Sequence, residues 1–182
     1  MRLIVAAYQT FTYTLVTNLS TSGEHIMAYW LLKSEPDAFS IDDLQRLQQG
    51  VWDGVRNYQA RNFMRDDMSE GDLAFFYHSN TKVPGVVGIM RISRAGYPDD
   101  KAFDPKDAHY DPKSDPENPR WYRVDVTFER ELERVISLAE IKDHADELGD
   151  FPLVRKGNRL SVMPVDKQHW DFILGLEHNT PE

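Results

Sequence analysis

Hydrophobic and polar positions change their period along the chain, and the changes mark elements. Tyr29–Lys33 is a compact apolar run that reads as a central strand, ended by Pro36. The period then lengthens. Ser40 as N-cap, Asp43 three residues later and a Phe39–Leu44 staple start a helix with Ile41, Leu44 and Leu47 on its buried stripe, and Gly50 stops it. Val51–Val55 reads as a short strand or turn. A helix begins at about Asn57, with Ala60, Phe63 and Met64 on its apolar side and Arg61 and Arg65 one turn apart. Strands are expected at about 72–78 and 85–92. Trp121–Glu131 alternates strictly, with Tyr122, Val124, Val126 and Phe128 on one face and Trp121, Arg123, Asp125, Thr127 and Glu129 on the other. Ser137 and Glu140 form a capping box, with Ile136 stapling Ile141. Asn158–Met163 is a short strand, and Asp166 caps a last helix carrying Trp170, Ile173 and Leu174, closed by Gly175.

Two segments break the pattern. Residues 98–119 contain Pro98, Pro105, Pro112, Pro116 and Pro119, with seven acids against three Lys, so they form neither a central strand nor a continuous helix. Their acids read as a solvated surface. Residues 1–26 are rich in Thr and Ser, and Leu3–Ala7 is too short for a signal-peptide core. One reading is a mispredicted start, with Met27 as initiator. The other is a pairing β-segment built on Tyr8, Phe11, Tyr13 and Leu15. The organisation expected is an extension over 1–26, a domain over 27–176 and a tail over 177–182. The order β-α-(α)-β-β-β-α-β-α is that of an α+β protein, its sheet mixed or mostly antiparallel and curled.

Composition narrows the function. A chain of 182 residues, 41% hydrophobic and 28% charged, is one globular domain rather than two. No apolar run approaches the roughly 18–20 residues of a membrane span, so no membrane partner is expected. Cys is absent, which excludes disulfides, thiolate metal sites and a Cys nucleophile. It fits a reducing compartment, and the cytoplasm is the expected location. The net charge of −9 argues against indiscriminate coating of nucleic acid, which needs accumulated Lys and Arg. Any nucleic-acid role must come from a local patch or a pocket that grips one nucleotide.

Familiar catalytic signatures are missing. There is no GxxxxGK[ST], GxGxxG or GxSxG, and the His residues at 25, 78, 109, 144, 169 and 178 lack metal-ligand spacing, so neither cofactor nor metal is expected. Lys33 and Ser34 are strand neighbours on opposite faces, so Lys33 does not activate Ser34. What remains is aromatics and amides near strand ends. Trp30, Trp52 and Trp121 are each either core or pocket wall. Asn57 either caps its helix or belongs with Gln59 and Asn62 to a polar cluster. Two basic groups, Arg56/Arg61/Arg65 and Arg155/Lys156/Arg159, are either solvated faces or phosphate contacts.

Five segments then carry a resemblance: YWLLKSEP at 29–36, VWDGVRNYQARN at 51–62, FFYHSN at 75–80, HYDPKSDPENPRWYRVDV at 109–126 and RLSVMPV at 159–165. In this order they strongly resemble the EVE domain family of the PUA-like superfamily, over about Met27 to Leu176. The resemblance implies a mixed, curled sheet forming a pseudo-barrel flanked by helices. It also implies binding of a modified base, such as modified cytosine in DNA or a modified nucleotide in RNA. By further likeness to YTH domains, Lys33 and Ser34 line the pocket mouth or floor and Trp52 is a cage wall. Trp30, Asn57, Tyr58, Tyr77 and Trp121 complete the expected pocket set, and Arg61, Asn62, Arg155 and Arg159 the nucleic-acid contacts. The second cage wall is open between Tyr77, Trp121, Phe103 and Tyr110. Glu35 and Pro36 depart from YTH, so preference for methyladenine does not carry over.

A flipped base needs stacking faces and amide partners but few phosphate contacts, which reconciles this reading with the acidic charge. The expected function is therefore non-catalytic binding of a modified base. The alternatives are an enzyme using Glu35, Asp53 or His78, and a protein-interaction module built on the 98–119 loop.

Overall fold

The computed structural model describes residues 27–178. The N-terminal extension, including Tyr8–Leu15, and the tail residues Asn179–Glu182 lie outside the described residues. Among the described residues six strands form one open, mixed sheet: β1 (Tyr29–Ser34), β2 (Gln49–Trp52), β3 (Leu73–His78), β4 (Gly85–Pro98), β5 (Tyr122–Ser137) and β6 (Val162–Val165), in the spatial order β2-β5-β4-β3-β1-β6. Only β1 and β3 pair in parallel. Among the described residues five α-helices flank it: α1 (Ile41–Leu47), α2 (Tyr58–Asn62), α3 (Leu138–Asp143), α4 (Ala145–Leu148) and α5 (Lys167–Leu176). A π-turn, Phe63–Asp67, continues α2. This is the α+β, mixed and curled sheet that the sequence predicts, without closure into a full barrel.

The apolar run of β1 has a direct cause. Trp30 and Leu32 enter a cluster with Ile41, Leu44, Trp52 and Phe76, whereas Leu31 enters a second cluster with Phe75, Tyr77, Ile136 and Trp170. The strand is buried on both faces, so no polar alternation survives. Long β4 and β5 run past the expected ends at 92 and 131. Four register shifts along their pairing, from Val86/Gly88 to Arg94/Tyr97, break the alternation on which the strand assignment relied.

Several local assignments hold. Ser40 accepts from Asp43 N at 3.0 Å while Asp43 accepts from Ser40 N at 3.2 Å, completing a capping box on α1. At the start of α3 half of the expected box forms: Ser137 accepts from Glu140 N at 3.1 Å, while the Glu140 carboxylate is paired with Arg134 at 2.6 and 2.8 Å. Others shift. Leu47 is 52% exposed, because α1 has only seven residues and turns away at Gln48, whose φ of 63° supplies the left-handed stop assigned to Gly50. Gly50 lies instead within β2, and Gly175 within α5. Residues 155–160 remain a loop, so β6 starts at Val162, later than the expected strand. Glu177, in the expected tail, is 4% exposed and clamped by Arg130 at 2.7 and 2.8 Å and by the Glu133 N–H at 2.8 Å.

Candidate nucleic-acid interface

Strand β2 ends at Trp52, and the chain turns at Asp53–Gly54. The long loop 98–119 is anchored against this turn. Asp99 is fully buried and accepts from Gly54 N at 3.1 Å, Arg56 Nη1 at 2.7 Å and Lys101 N at 3.1 Å. Arg56 also donates from Nε to the His109 carbonyl at 2.8 Å. Gly54 has a φ of +71°, and a Cβ there would sit 2.8 Å from His109 Nε2, so this position needs glycine both for its backbone and for the imidazole against it.

The loop's acids are structural. Asp99, Asp104, Asp107, Asp111 and Asp115 each accept the backbone N–H two residues on, at 2.8 to 3.1 Å. Asp100, Asp104, Asp115 and Glu117 are nonetheless exposed, as the solvated reading expects, and Asp99 is the buried exception. Successive Asx turns give the segment order without helix or strand. Bonds from Lys113 N and the Trp121 indole hold the Asp111 carboxyl below its usual range.

Anchoring the loop brings Lys101 and His109 beside Trp52. Together with Lys33, Ser34, Ala38, Phe39, Val51 and Asp53 they enclose a cleft of about 240 Å³. That is below the roughly 300–1,000 Å³ of drug-sized pockets and suits a single flat ring. Trp52 is 6% exposed, edge-on to Phe76 at 5.1 Å and to Phe39 at 6.1 Å between ring centres. It is core and cleft wall at once. Lys33 lines the same cleft, but its ammonium lies 5.5 Å from the Tyr77 ring centre on the other face of the sheet. Burial, then repulsion from Lys142, lowers its pKa.

The remaining expected pocket residues go elsewhere. Trp30 is buried and donates its indole N–H to the buried Asp72 at 2.9 Å. Tyr77 belongs to the opposite core cluster, where burial pushes its phenol up to about 12. Trp121 lies just before β5 rather than on its polar face, and its indole N–H is bonded to Asp111 at 2.7 Å. It stacks on Tyr58 with ring centres 5.0 Å apart. Arg56 covers the free face of Trp121 and Arg61 that of Tyr58, at 5.4 and 5.2 Å. This ladder borders a polar depression of about 280 Å³ lined by Arg61, Arg65, Lys113 and Arg120.

On its other side α2 meets the second basic group. Asn57 caps α2, accepting from Gln59 N at 2.9 Å and Ala60 N at 3.0 Å. It also lines a cleft of about 430 Å³ with Gln59, Arg155, Lys156, Asn158 and Arg159. Asn62 instead accepts from Arg61 Nε at 2.8 Å. Residues 57–62 therefore stand between two basic depressions.

Sequence reasoning missed Phe39, Lys101 and His109 as cleft walls and treated Asp53 only as an acid. The Trp-Asp-Gly turn was the available signal for Asp53. Lys101 and His109 reach the cleft through the buried Asp99–Arg56 pair, which no local pattern reveals. None of the four candidates for the second cage wall lines the cleft; its other rings are Phe39 and His109.

Known proteins extend this picture. The EVE domain pattern matches residues 28–176. Thymocyte nuclear protein 1 of Danio rerio is 48% identical over 170 residues, covering 84% of this chain and 73% of the relative. The human protein of that name is 44% identical, covering 87% and 77%. Among solved structures, a protein from Pseudomonas syringae is 51% identical with a TM-score of 0.79, covering 82% of this chain and 99% of that one. A structure of human THYN1 protein in complex with 5-methylcytosine-containing DNA is 44% identical with a TM-score of 0.78, covering 85% and 99%. The relatives' name designates nuclear proteins, which overturns the cytoplasmic location expected from the sequence. By a match across nearly all described residues and by near-half identity to these relatives, the chain belongs to the EVE domain family.

Proposed function

We propose that the protein binds DNA carrying a modified cytosine, without catalysis, by turning the base out of the stack into the cleft beside Trp52. The observation that carries this reading is a cleft of one ring's size walled by Trp52, Phe39 and His109, in a chain similar to one solved on 5-methylcytosine-containing DNA. Aromatic faces stack a flipped base. Ala38, Phe39 and Val51 offer apolar contact to a 5-methyl group. Arg155, Lys156 and Arg159 on one side of α2, and Arg61, Arg65 and Arg120 on the other, suit phosphates flanking the flipped nucleotide.

The three candidate acids and bases already have structural work. His78 Nε2 accepts from Ile41 N at 3.1 Å, and burial lowers its pKa, so it serves α1 as a neutral cap. Glu35 accepts from Asn80 at 3.1 Å. Asp53 is paired with Lys101 at 2.9 Å. These ties favour a binder over an enzyme.

The test is direct. Fluorescence anisotropy on otherwise identical duplexes, one with a single 5-methylcytosine and one with cytosine, should give tighter binding to the modified duplex. Trp52→Leu, which keeps an apolar group in the core, should weaken that binding by about 5- to 150-fold, the value of one stacked base. Equal affinity for both duplexes would overturn the reading.

A further inference from the structure

The cleft contains a carboxylate, a group whose chemistry selects among bases. We infer that Asp53 reads the exocyclic amine of the bound base, so that the cleft accepts cytosine-type bases and rejects thymine. This rests on the proposed base-binding cleft and adds a residue that sets its specificity.

Asp53 follows Trp52 directly, at the point where β2 leaves the sheet, and lines the same cleft. Its carboxylate is 18% exposed, so a ligand filling the cleft would desolvate it. Lys101 Nζ spans both oxygens, 3.0 Å from Oδ1 and 2.9 Å from Oδ2. Among the described residues it is the one donor bonded to this carboxylate. An ionised carboxylate has about four acceptor positions, and one ammonium cannot fill them. Spare acceptor capacity therefore faces the cleft.

Lys101 itself is fixed. Its backbone N–H is bonded to the buried Asp99, which also holds Gly54 N and Arg56. The bond to Asp53 raises the Lys101 pKa, so the Lys101 ammonium stays charged at neutral pH. An ionised carboxylate only accepts. It pairs with the N4 amine of cytosine, the recognised partner for Asp or Glu among base edges. Thymine offers the O4 carbonyl at the same place, so two acceptors would face each other with no proton between them. Lys101 ties the Asp53 carboxylate to the 98–119 loop, and Asp53 makes the contact to the base.

The experiment compares 5-methylcytosine with thymine, each opposite an abasic site so that neither base has a pairing partner to lose. The two ligands share the 5-methyl group and differ at position 4 and N3. The unaltered protein should prefer 5-methylcytosine by about 10- to 100-fold, the range for a hydrogen bond to a charged group. Asp53→Asn presents an amide that serves either base, and should bring the ratio to within about threefold. Asp53→Ser gives the same readout if the amide variant does not fold. Lys101→Met breaks the same tie between loop and strand but leaves the carboxylate, and should keep the preference. Retention of the full ratio in Asp53→Asn or Asp53→Ser would overturn the inference. So would an equal collapse in Lys101→Met, because the discrimination would then come from loop closure. The cleft is tested separately by 5-methylcytosine against cytosine, so its failure and that of Asp53 are distinct results.

Discussion

The two faces of the sheet are built from similar residues and end differently. On one, the ten-residue α5 lays Trp170 flat on Phe75, with ring centres 3.9 Å apart and planes at 17°, and Tyr29 closes the group at 4.7 Å. On the other, α1 has seven residues and α2 five, and Trp52 meets Phe76 and Phe39 edge-on beside an opening. Trp170 and Trp52 are equally buried, at 4% and 6% exposed. Burial alone does not separate a core tryptophan from a cleft tryptophan. What separates them is whether a helix covers the remaining ring surface or leaves it to a ligand.

The sharpest way to break this comparison is to truncate both rings. Trp170→Ala and Trp52→Ala should each cost about 3–5 kcal/mol, the range for removing a buried aromatic. In a domain of this size that lowers the melting temperature by roughly 6–20 °C. Trp52→Ala therefore does not leave stability untouched, as a purely rim-placed ring would. Below the lower melting temperature, the folded Trp170→Ala protein should bind 5-methylcytosine duplex normally, while Trp52→Ala loses about 5- to 150-fold. Anisotropy at a temperature where circular dichroism shows both variants folded checks this. Equal loss of affinity in the two variants would mean that the faces are not functionally distinct.

The same contrast explains what was legible. Caps are local, so Ser40, Asn57 and Ser137 were readable from a few neighbours. The face of Trp52 was not, because the sheet and loop bring Phe39, Phe76 and His109 to it from distant segments. The 98–119 loop was legible only in part, for a different reason. Seven acids in a Pro-rich stretch look solvated, yet five of its Asp residues close Asx turns and Asp99 is buried against Arg56. Sequence shows that these carboxylates exist. It does not show whether each has an N–H two residues on in the right geometry. Tyr58 and Trp121, both expected in the pocket, stack instead in a cation–π ladder with Arg56 and Arg61, Tyr58 exposed and Trp121 buried.

The open face should also carry the salt dependence. Arg155 and Arg159 are exposed around the 430 Å³ cleft, whereas Arg130 and Arg134 are committed to Glu177 and Glu140. Arg155→Ala and Arg159→Ala should each reduce the slope of log affinity against log salt by about 0.9, the value of one lost phosphate contact on duplex DNA. Arg130→Ala should leave the slope unchanged while lowering the melting temperature. Titrations at several salt concentrations measure all three. An unchanged slope in both Arg155→Ala and Arg159→Ala would remove this cleft from the interface.

The smallest effect lies on the covered face and concerns Lys33. Its ammonium is partly desolvated over Tyr77 and repelled by Lys142, and its pKa lies below the ordinary 10.5. The folded protein therefore holds this proton less tightly than the unfolded chain does. Below the folded pKa both states are protonated, and the folded state bears the full penalty of the strained charge. As pH rises from the folded pKa towards 10.5 the penalty disappears, because the unfolded chain binds more protons. Lys33→Met keeps the length and apolar stem without the charge. It should melt slightly above the unaltered protein at neutral pH, with the gap narrowing as pH climbs towards 10.5. Parallel melts of the two proteins across that range cancel the titration of Tyr77 and the other lysines. Because the ammonium lies on the opposite side of the sheet from the cleft, Lys33→Met should also bind 5-methylcytosine duplex within about twofold of normal, allowing for one distant charge in screened solution. A large loss of binding in a stable Lys33→Met protein would mean that the ammonium swings into the cleft when DNA is bound, and that the two faces are less separate than their packing indicates.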